Sequence, residues 1–169
     1  MSATIILRKF QSSDKDQLAE LANNKNIWNN VRDYFPHPYT DQDAMEFIHL
    51  CLSQEPYVTF AIEYQGALAG CIGLVPQKDV YRLTAELGYW IGEPYWGKEI
   101  ATVAVRLITE YGFNQLNLIR IYSGVFDFNT ASQKVLEKAG FNFECVFKKS
   151  VIKNNVICDE YRYSKIKTD

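Results

Sequence analysis

One stretch restricts the fold of this chain more than any other, because it predicts two strands joined by a helix. The segments "AELGYWI" and "LIRIYSGV" are apolar and rich in β-branched and aromatic residues, as strands are. Between them, apolar residues recur on one helical face: Ile100, Val103, Ala104, Leu107, Ile108 and Tyr111. Strands joined through a helix pair in parallel with a right-handed crossover. A sheet with a parallel pair is therefore expected.

The flanking segments predict antiparallel pairs on both sides of this unit. "TIILRKF" is typical of a first strand, and "YVTFAIEY" and "ALAGCIGLV" meet at a Gln65-Gly66 turn. Near the end of the chain, "FNFECVFKKSV" and "VICDEYRYSKI" meet at a turn of Lys153, Asn154 and Asn155. The expected fold class is α/β, with a mixed twisted sheet of about seven strands flanked by about four helices.

Several residues are of the kinds that begin or end helices. Ser13 is expected to cap a first helix, and Thr40 with Asp43 matches a capping box before a second. Asn129 is expected to cap a short helix that stops at Gly140. The stretch between the first two helices, "NNKNIWNNVRDYFPHPYT", is aromatic and poorly periodic, which predicts a partly ordered surface segment.

Length and composition exclude several classes of protein. With 169 residues, 47% of them hydrophobic, one domain spanning 1–169 is expected. A net charge of -2 with scattered basic residues argues against a nucleic-acid partner. No stretch approaches the roughly 18 apolar residues of a membrane span, and no leader peptide is evident, so no membrane partner and a cytoplasmic location are expected. Four separated cysteines and two histidines predict reduced core thiols and no metal site.

The segment after the first of the two parallel strands resembles a phosphate-binding loop. Gly92 to Lys98, "GEPYWGK", matches the first seven positions of GxxxxGK[ST]. The eighth position carries Glu99 where a magnesium-binding hydroxyl is needed, and Pro94 stiffens the interior, so a P-loop-type nucleotide hydrolase is the weakest alternative. Two interpretations remain open. One is a plain helix start; the other is a loop whose helical N–H groups bind a pyrophosphate.

Three stretches together resemble the GNAT superfamily of acyl-CoA-dependent N-acetyltransferases, and within it the RimJ/RimL-like branch of ribosomal-protein N-acetyltransferases. They are "DYFPHPYTDQDAMEFI", "AELGYWIGEPYWGKEIAT" and "NTASQKVLEKAGF", in the family's order and spacing. The resemblance covers nearly the whole chain. It implies the GNAT (acyl-CoA N-acyltransferase) fold, acetyl-CoA as co-substrate and an amine as acceptor.

The resemblance also implies a cofactor site, residue by residue. The family's pyrophosphate loop reads Q/R-x-x-G-x-G/A, in which Trp96 takes the first place, Glu99 the glycine's place and Ala101 the last. Backbone groups of the preceding strand would hold the pantetheine arm and the oxyanion. The implied cofactor-binding residues are Tyr89, Trp90, Ile91, Trp96, Gly97, Lys98, Glu99, Ile100, Ala101, Thr102, Asn129 and Ser132.

Glu99 departs from the family pattern, because the branch commonly reads WGKG(I/Y)AT. A carboxylate about 4 Å from another negative charge costs about 1 kcal/mol in water and about 4 kcal/mol at an effective dielectric of 20. The pyrophosphate is expected to be bound by main-chain N–H groups and not by side chains. A Glu99 with ordinary helical dihedrals and a side chain turned to solvent is therefore expected to weaken cofactor binding only modestly.

Two carboxylates compete for the role of general base. Glu86 lies on "AELGYWI", where several family members place their base, although a structural carboxylate is the plainer interpretation. Glu160, in "CDEYRY" on the last strand, is the rival, and Asp159 is expected to face the other way. The resemblance makes Ser132 the candidate acid for the departing thiolate, where many GNAT enzymes use a tyrosine.

An acceptor site is expected along the aromatic segment, with the contact residues Trp28, Arg32, Phe35 and Tyr39. The leading prediction is an acetyl-CoA-dependent N-acetyltransferase that acetylates a primary amine by direct attack on the thioester. The acceptor is either a protein N-terminal α-amine or a small-molecule amine, and a homodimer is one open oligomeric state. The alternative is a catalytically inactive acyl-CoA-binding or interaction module, motivated by Glu99 and by Val103, where the branch often has Glu.

Overall fold

The computed structural model describes residues 4–168. Its strands are β1 (Ile5–Arg8), β2 (Thr59–Tyr64), β3 (Ala67–Pro76), β4 (Thr84–Ile91), β5 (Arg120–Phe126), β6 (Asn142–Lys153) and β7 (Val156–Ile166). Its α-helices are α1 (Lys15–Ala22), α2 (Lys25–Trp28), α3 (Asp41–Leu52), α4 (Ile100–Asn114) and α5 (Thr130–Lys138). Within the described residues, the predicted seven strands are confirmed. The fifth helix, beyond the four expected, is the single turn α2.

The strands form one mixed sheet in the order β1-β2-β3-β4-β5-β7-β6. Pairs β1–β2, β2–β3, β5–β7 and β6–β7 are antiparallel, and β4–β5 is parallel. Helix α4 connects the two parallel strands, as the strand–helix–strand pattern predicts. The α/β fold class expected from the sequence is therefore confirmed.

The two predicted hairpin turns both adopt the backbone that joins strands tightly. Gln65 and Gly66 have φ of 53° and 83°, and Asn154 and Asn155 have φ of 52° and 61°. Positive φ at both central residues is the hallmark of a two-residue hairpin turn whose twist matches that of its strands. Asparagine and glycine tolerate this region better than most residues, which explains why both turns were visible in the sequence.

The chain divides into two compact units, each with its own buried core. The first unit consists of the described residues up to Gly73 together with Tyr89–Ala104. Its core cluster includes Phe10, Leu18, Tyr39, Ala44, Ile48, Cys51, Tyr57, Leu68 and Cys71. The second unit consists of Leu74–Gly88 and the chain from Val105 onward. Its buried side chains include Leu74, Leu87, Val105, Ile108, Ile121, Val125, Leu136 and Tyr163.

Two of the three predicted helix starts are confirmed. The Thr40 hydroxyl accepts from the Asp43 N–H at 3.2 Å, while the Thr40 N–H donates to the Asp43 carboxylate at 2.8 Å, which completes the capping box. The Thr40 hydroxyl also donates to the Asp43 carboxylate at 2.5 Å, and this bond, followed by the one from the Thr40 N–H, lowers the pKa of Asp43. The Asn129 side chain accepts from the Ser132 N–H, and Gly140 ends the helix region with a φ of 86°.

The third helix start and two other expectations were wrong. Ser13 does not cap α1, because a short 3-10 turn (Ser12–Asp14) precedes the helix and the Asp14 carboxylate receives the local N–H bond instead. The aromatic segment is not confined to the surface, since Ile27 and Tyr39 are buried. Of the four free cysteines, Cys145 is exposed and so does not fill the core.

Candidate functional site

Strand β4 carries the candidate base and begins as part of a parallel ladder. The ladder pairs Thr84 with Arg120, Ala85 with Ile121 and Glu86 with Tyr122. The next carbonyl, that of Leu87, accepts a bond of 3.0 Å from the side-chain hydroxyl of Ser123. Within the described chain the β4–β5 ladder therefore ends at Glu86.

The later part of β4 is held against β3 in the first unit. The Gly92 N–H donates to the Ala69 carbonyl at 2.8 Å. The Trp90 carbonyl oxygen lies 2.3 Å from the position where a Cβ on Gly70 would stand. Because no real Cβ tolerates such a contact, Gly70 is required for β4 to lie this close. Gly70 thus fixes the stretch Tyr89–Ile91 on which the predicted pantetheine contacts depend.

Trp96 links the candidate pyrophosphate loop to the end of β4. Its indole Nε1 donates to the Ile91 carbonyl at 2.7 Å, although 47% of the residue is exposed. The ring therefore lies at the surface while its polar edge is bonded to the strand. Gly97 follows with a φ of 74°, a left-handed conformation in which glycine is not strained.

Glu99 adopts a conformation that the sequence interpretation got wrong. Its φ is 58°, in the left-handed region, and not that of an ordinary helical residue. Its carboxylate accepts a bond of 3.1 Å from the buried Thr102 hydroxyl, so the side chain is not simply turned to solvent. A non-glycine residue in this region costs about 1–2 kcal/mol. The family's glycine at this place therefore corresponds to a backbone requirement that Glu99 meets under strain.

Lys98 lies over two adjoining tyrosine rings beside the same loop. Its Nζ is 5.4 Å from the ring centroid of Tyr95 and 5.8 Å from that of Tyr64. The two rings contact each other edge to face, with centroids 6.1 Å apart. Cation–π attraction of this kind restricts the ammonium group and keeps its charge near the helix start. Lys98 is thus the cation that the loop itself supplies.

Glu93, also in the loop, is bonded to the region around α2. Its carboxylate accepts from the Asn24 side-chain amide at 2.6 Å and from the Asn26 amide at 3.1 Å. These bonds, with Asn24 contributing most, lower the pKa of Glu93. Asn24 also caps α2. One contact network therefore joins the loop to the segment predicted to cover the acceptor.

The predicted acceptor residues occupy different environments within the first unit. Tyr39 is buried in the core, where its ring lies 5.0 Å from that of Phe35. Phe35 is half-buried and also meets Trp90 edge to face at 5.9 Å. Trp28 is half-buried with its ring 5.7 Å from that of His37, and Arg32 is exposed. Tyr39 therefore packs the core, and Phe35 connects this segment to β4.

In the second unit, the rival base Glu160 is bound to a cation. Its carboxylate accepts from the Arg162 Nη2 at 2.7 Å. A Cβ added to Gly124 would lie 2.5 Å from the carboxyl carbon of Glu160. The carboxylate therefore packs directly against the glycine backbone of β5. Asp159 bonds to Lys148 at 2.8 Å and to the Lys149 N–H at 2.8 Å. Half-buried Glu86 lies on the sheet face of Tyr122, its ladder partner.

The motif "NTAS" forms the start of α5. The Asn129 side chain is committed to the Ser132 N–H at 3.1 Å, as a helix cap requires. Asn129 and Ser132 are both half-buried. Lys134 and Lys138 on the same helix are exposed.

Across residues 4–168, no three histidine, cysteine, aspartate or glutamate side chains are grouped so that they could hold a metal ion. In the same range, no helix has the length and apolarity that crossing a membrane would need.

The chain belongs to the family described as Acetyltransferase (GNAT) domain, which matches residues 4–142. It is thus an enzyme of the N-acetyltransferase class, and the predicted family and fold are confirmed. This match leaves the P-loop-type nucleotide hydrolase without support.

Similar proteins agree with this membership. "Probable N-acetyltransferase YjcK" of Bacillus subtilis is 47% identical over 43% of this chain, and the match spans only 40% of that protein. The spermidine N(1)-acetyltransferase of Escherichia coli K12 is 30% identical over 83% of this chain and 74% of its own length.

Solved structures share the fold over nearly the whole chain. The microcin C7 self-immunity acetyltransferase MccE, in complex with acetyl-CoA and AMP, has a TM-score of 0.82 and 27% identity, covering 96% of this chain and 92% of its own. The ribosomal L7/L12 acetyltransferase RimL, in complex with coenzyme A, has a TM-score of 0.84 and 21% identity. The match covers 96% of this chain and 94% of RimL. At that identity RimL shows the fold alone.

Proposed function

We propose that the chain transfers the acetyl group of acetyl-CoA to a primary amine by direct attack of the amine on the thioester. The observation that carries this proposal is the loop after β4, where Gly97 and Glu99 are left-handed immediately before α4 begins. The first N–H groups of a helix have no partner within it and favour an anion such as a pyrophosphate. Membership of the GNAT family and the acetyl-CoA in the MccE complex support the assignment.

The cofactor contacts in this proposal come mainly from the backbone. The stretch Tyr89–Ile91 pairs with the pantetheine arm and offers an N–H to the oxyanion that forms on the thioester carbonyl. The loop from Trp96 to Thr102 holds the pyrophosphate, with Lys98 contributing a positive charge. Asn129 contacts the cofactor, and Ser132 protonates the departing thiolate.

We assign the general base to Glu86 in preference to Glu160. The Glu160 carboxylate is already bonded to the Arg162 guanidinium at 2.7 Å, so an incoming ammonium group would have to compete with that ion pair. Glu86 lies at the last pair of the β4–β5 ladder, where the proposed cofactor edge begins. An incoming ammonium group at Glu86 would lose its proton there, directly or through water, before attack.

The acceptor in this proposal is a protein N-terminal α-amine or a small amine. Among similar proteins, one is named for spermidine and one for the ribosomal protein L7/L12. Trp28, Arg32 and Phe35 are proposed to contact the acceptor, and a single N-acetyltransferase domain to span 1–169.

Release of the CoA thiol tests the proposal. Purified protein is incubated with isotope-labelled acetyl-CoA and a panel of amino acids, dipeptides, polyamines and peptides with free N-termini. Thiol release that depends on an amine, together with labelled amide product, is the expected result. Loss of turnover in Glu86→Gln but not in Glu160→Gln supports the base assignment. Binding of acetyl-CoA without turnover on any amine would favour the inactive module.

A further inference from the structure

One face of the second unit's sheet carries a set of charged and aromatic side chains in register. The ladders pair Glu86 with Tyr122, Gly124 with Arg162 and Phe126 with Glu160. Paired residues on neighbouring strands point to the same side of a sheet. The alternate residues of β5, Ile121, Ser123 and Val125, are buried and face the other side. We call the six residues Glu86, Arg120, Tyr122, Glu144, Glu160 and Arg162 the charged face.

Arg162 is the most tightly held cation on the charged face. Its guanidinium carbon lies 4.4 Å from the ring centroid of Tyr122 and 4.7 Å from that of Phe147. Aromatic rings at both positions restrict the guanidinium without using its N–H groups. The charged group is thus preorganised by packing, while 24% of the side chain is still exposed.

The hydrogen-bonding capacity of Arg162 is only partly used. A guanidinium has five N–H donors, and among the described contacts Nη2 donates to Glu160 at 2.7 Å. Its Nε is buried without any acceptor, which is uncommon for a polar atom in a folded chain. By contrast, Arg120 on the same face is doubly bonded to the Glu144 carboxylate. Arg162 therefore retains unused hydrogen-bond donors, and because 24% of its side chain is exposed, a ligand oxygen could reach those at the exposed end of the guanidinium.

Arg162 and the proposed base Glu86 are both neighbours of Tyr122. Tyr122 is the ladder partner of Glu86, and the Arg162 guanidinium stacks on the Tyr122 ring. Glu86 on β4 and Arg162 on β7 thus lie on one sheet face with β5 between them, so their backbones are two strand spacings, about 10 Å, apart across the sheet. That arrangement matches a small molecule with an ammonium group at one end and an anion at the other.

We propose that Arg162 binds a carboxylate of the amine acceptor. This inference rests on the proposed function, because it names the acceptor class of the same site. The acceptor's amine lies at Glu86, and its carboxylate meets the N–H groups of Arg162 that Glu160 leaves unused. Amines that carry a carboxylate several bonds away, such as short peptides with a free C-terminus or ω-amino acids, fit this spacing. Polyamines lack the group that Arg162 recognises.

Matched acceptor pairs test the inference. Dipeptides, α-amino acids and ω-amino acids are each compared with their C-terminal amides, with spermidine as a polycation. At least one acid is expected to exceed its amide by tenfold or more in kcat/KM. Arg162→Met, which keeps an apolar side chain beside the two rings, is expected to raise KM for that acid tenfold or more. The kcat for the acid and the kcat/KM for its amide should change little. Arg162→Lys is expected to recover part of the preference.

The controls separate this inference from the proposed function. Arg82→Met removes an exposed arginine that donates to the Asp79 carbonyl, and it is expected to leave the preference unchanged. Arg162→Met leaves the Glu160 carboxylate without its arginine, which could impair folding. In that case the double variant Arg162→Met/Glu160→Gln, which also removes the charge of Glu160, replaces the single variant. Equal rates for acids and amides, activity on spermidine alone, or a preference that survives Arg162→Met would overturn the inference while the acetyltransferase stands. No turnover with any amine would overturn both.

Discussion

The carboxylate of Glu99 accepts a hydrogen bond of 3.1 Å from the hydroxyl of Thr102, across the first turn of α4. Because the Val103 N–H donates to the Glu99 carbonyl at 3.1 Å, Glu99 is also the residue from which the helix hydrogen bonds begin. Its carboxylate is therefore held beside the helical N–H groups that would bind a pyrophosphate. A negative charge fixed there competes with the cofactor's own charge.

Replacing Glu99 with glycine is expected to strengthen acetyl-CoA binding about five- to tenfold. A repulsion of about 1 to 1.4 kcal/mol accounts for that range when the loop is exposed to water. The free energy of unfolding should change little. Glycine relieves about 1–2 kcal/mol of left-handed strain, but the hydrogen bond to Thr102 is lost and glycine gains more conformational freedom in the unfolded chain. Calorimetric titration and urea unfolding measure the two quantities.

Glu99→Gln is the matched variant, because it removes the charge and keeps the left-handed side chain. If charge is the cause, Glu99→Gln recovers most of the gain in affinity. If backbone strain limits binding, only glycine does so. Weaker binding in both variants would mean that the carboxylate assists the cofactor and that the repulsion argument is wrong.

The strand–helix–strand unit and both hairpins could be predicted from the sequence because periodicity and turn residues act locally. The left-handed Glu99 could not, since nothing in the residue itself demands that conformation. Only the family's glycine at that place signalled it. Arg162 was not singled out from the sequence, because its aromatic neighbours depend on sheet register, which is set by long-range pairing.

Gly70→Ala is expected to destabilise the protein by about 2–3 kcal/mol, as an overpacked core site does. The added methyl would meet the Trp90 carbonyl, a backbone atom that cannot rotate away, at 2.3 Å. Gly88→Ala on β4 is the control, because a Cβ there meets nothing within 4 Å. Urea unfolding measures the free energy of unfolding of both variants. Equal stability of the two would show that β4 shifts freely, and acetyl-CoA affinity would then be expected to stay unchanged as well.

Lys98→Met is expected to lower acetyl-CoA affinity about three- to tenfold. The ammonium beside the Tyr64 and Tyr95 rings supplies a positive charge at the loop, and its removal takes away that attraction for the pyrophosphate. The loss should shrink as salt is raised toward 1 M, where charges are screened within about 3 Å. Lys78→Met, on an exposed turn, serves as the control in the same calorimetric titrations. A loss independent of salt would indicate that Lys98 acts by packing alone.

The stability of the protein is expected to depend on Glu144 in acid. Arg120 is the main cause of the low pKa of Glu144, about 2, and the Ser164 hydroxyl adds a bond of 2.6 Å. Because the folded-state pKa lies below the ordinary value of 4.5, the contribution is present above about pH 4.5 and is lost as the pH falls toward about 2.

We expect this contribution to be about 1 kcal/mol, because both side chains are about one-third exposed and solvent screens the pair. Urea unfolding of wild type and Glu144→Gln between pH 3.5 and 7 measures it. The difference between the two proteins should be largest above pH 5 and should narrow at the acid end. A difference that stays constant across this range would mean that Glu144 stabilises the sheet without titrating.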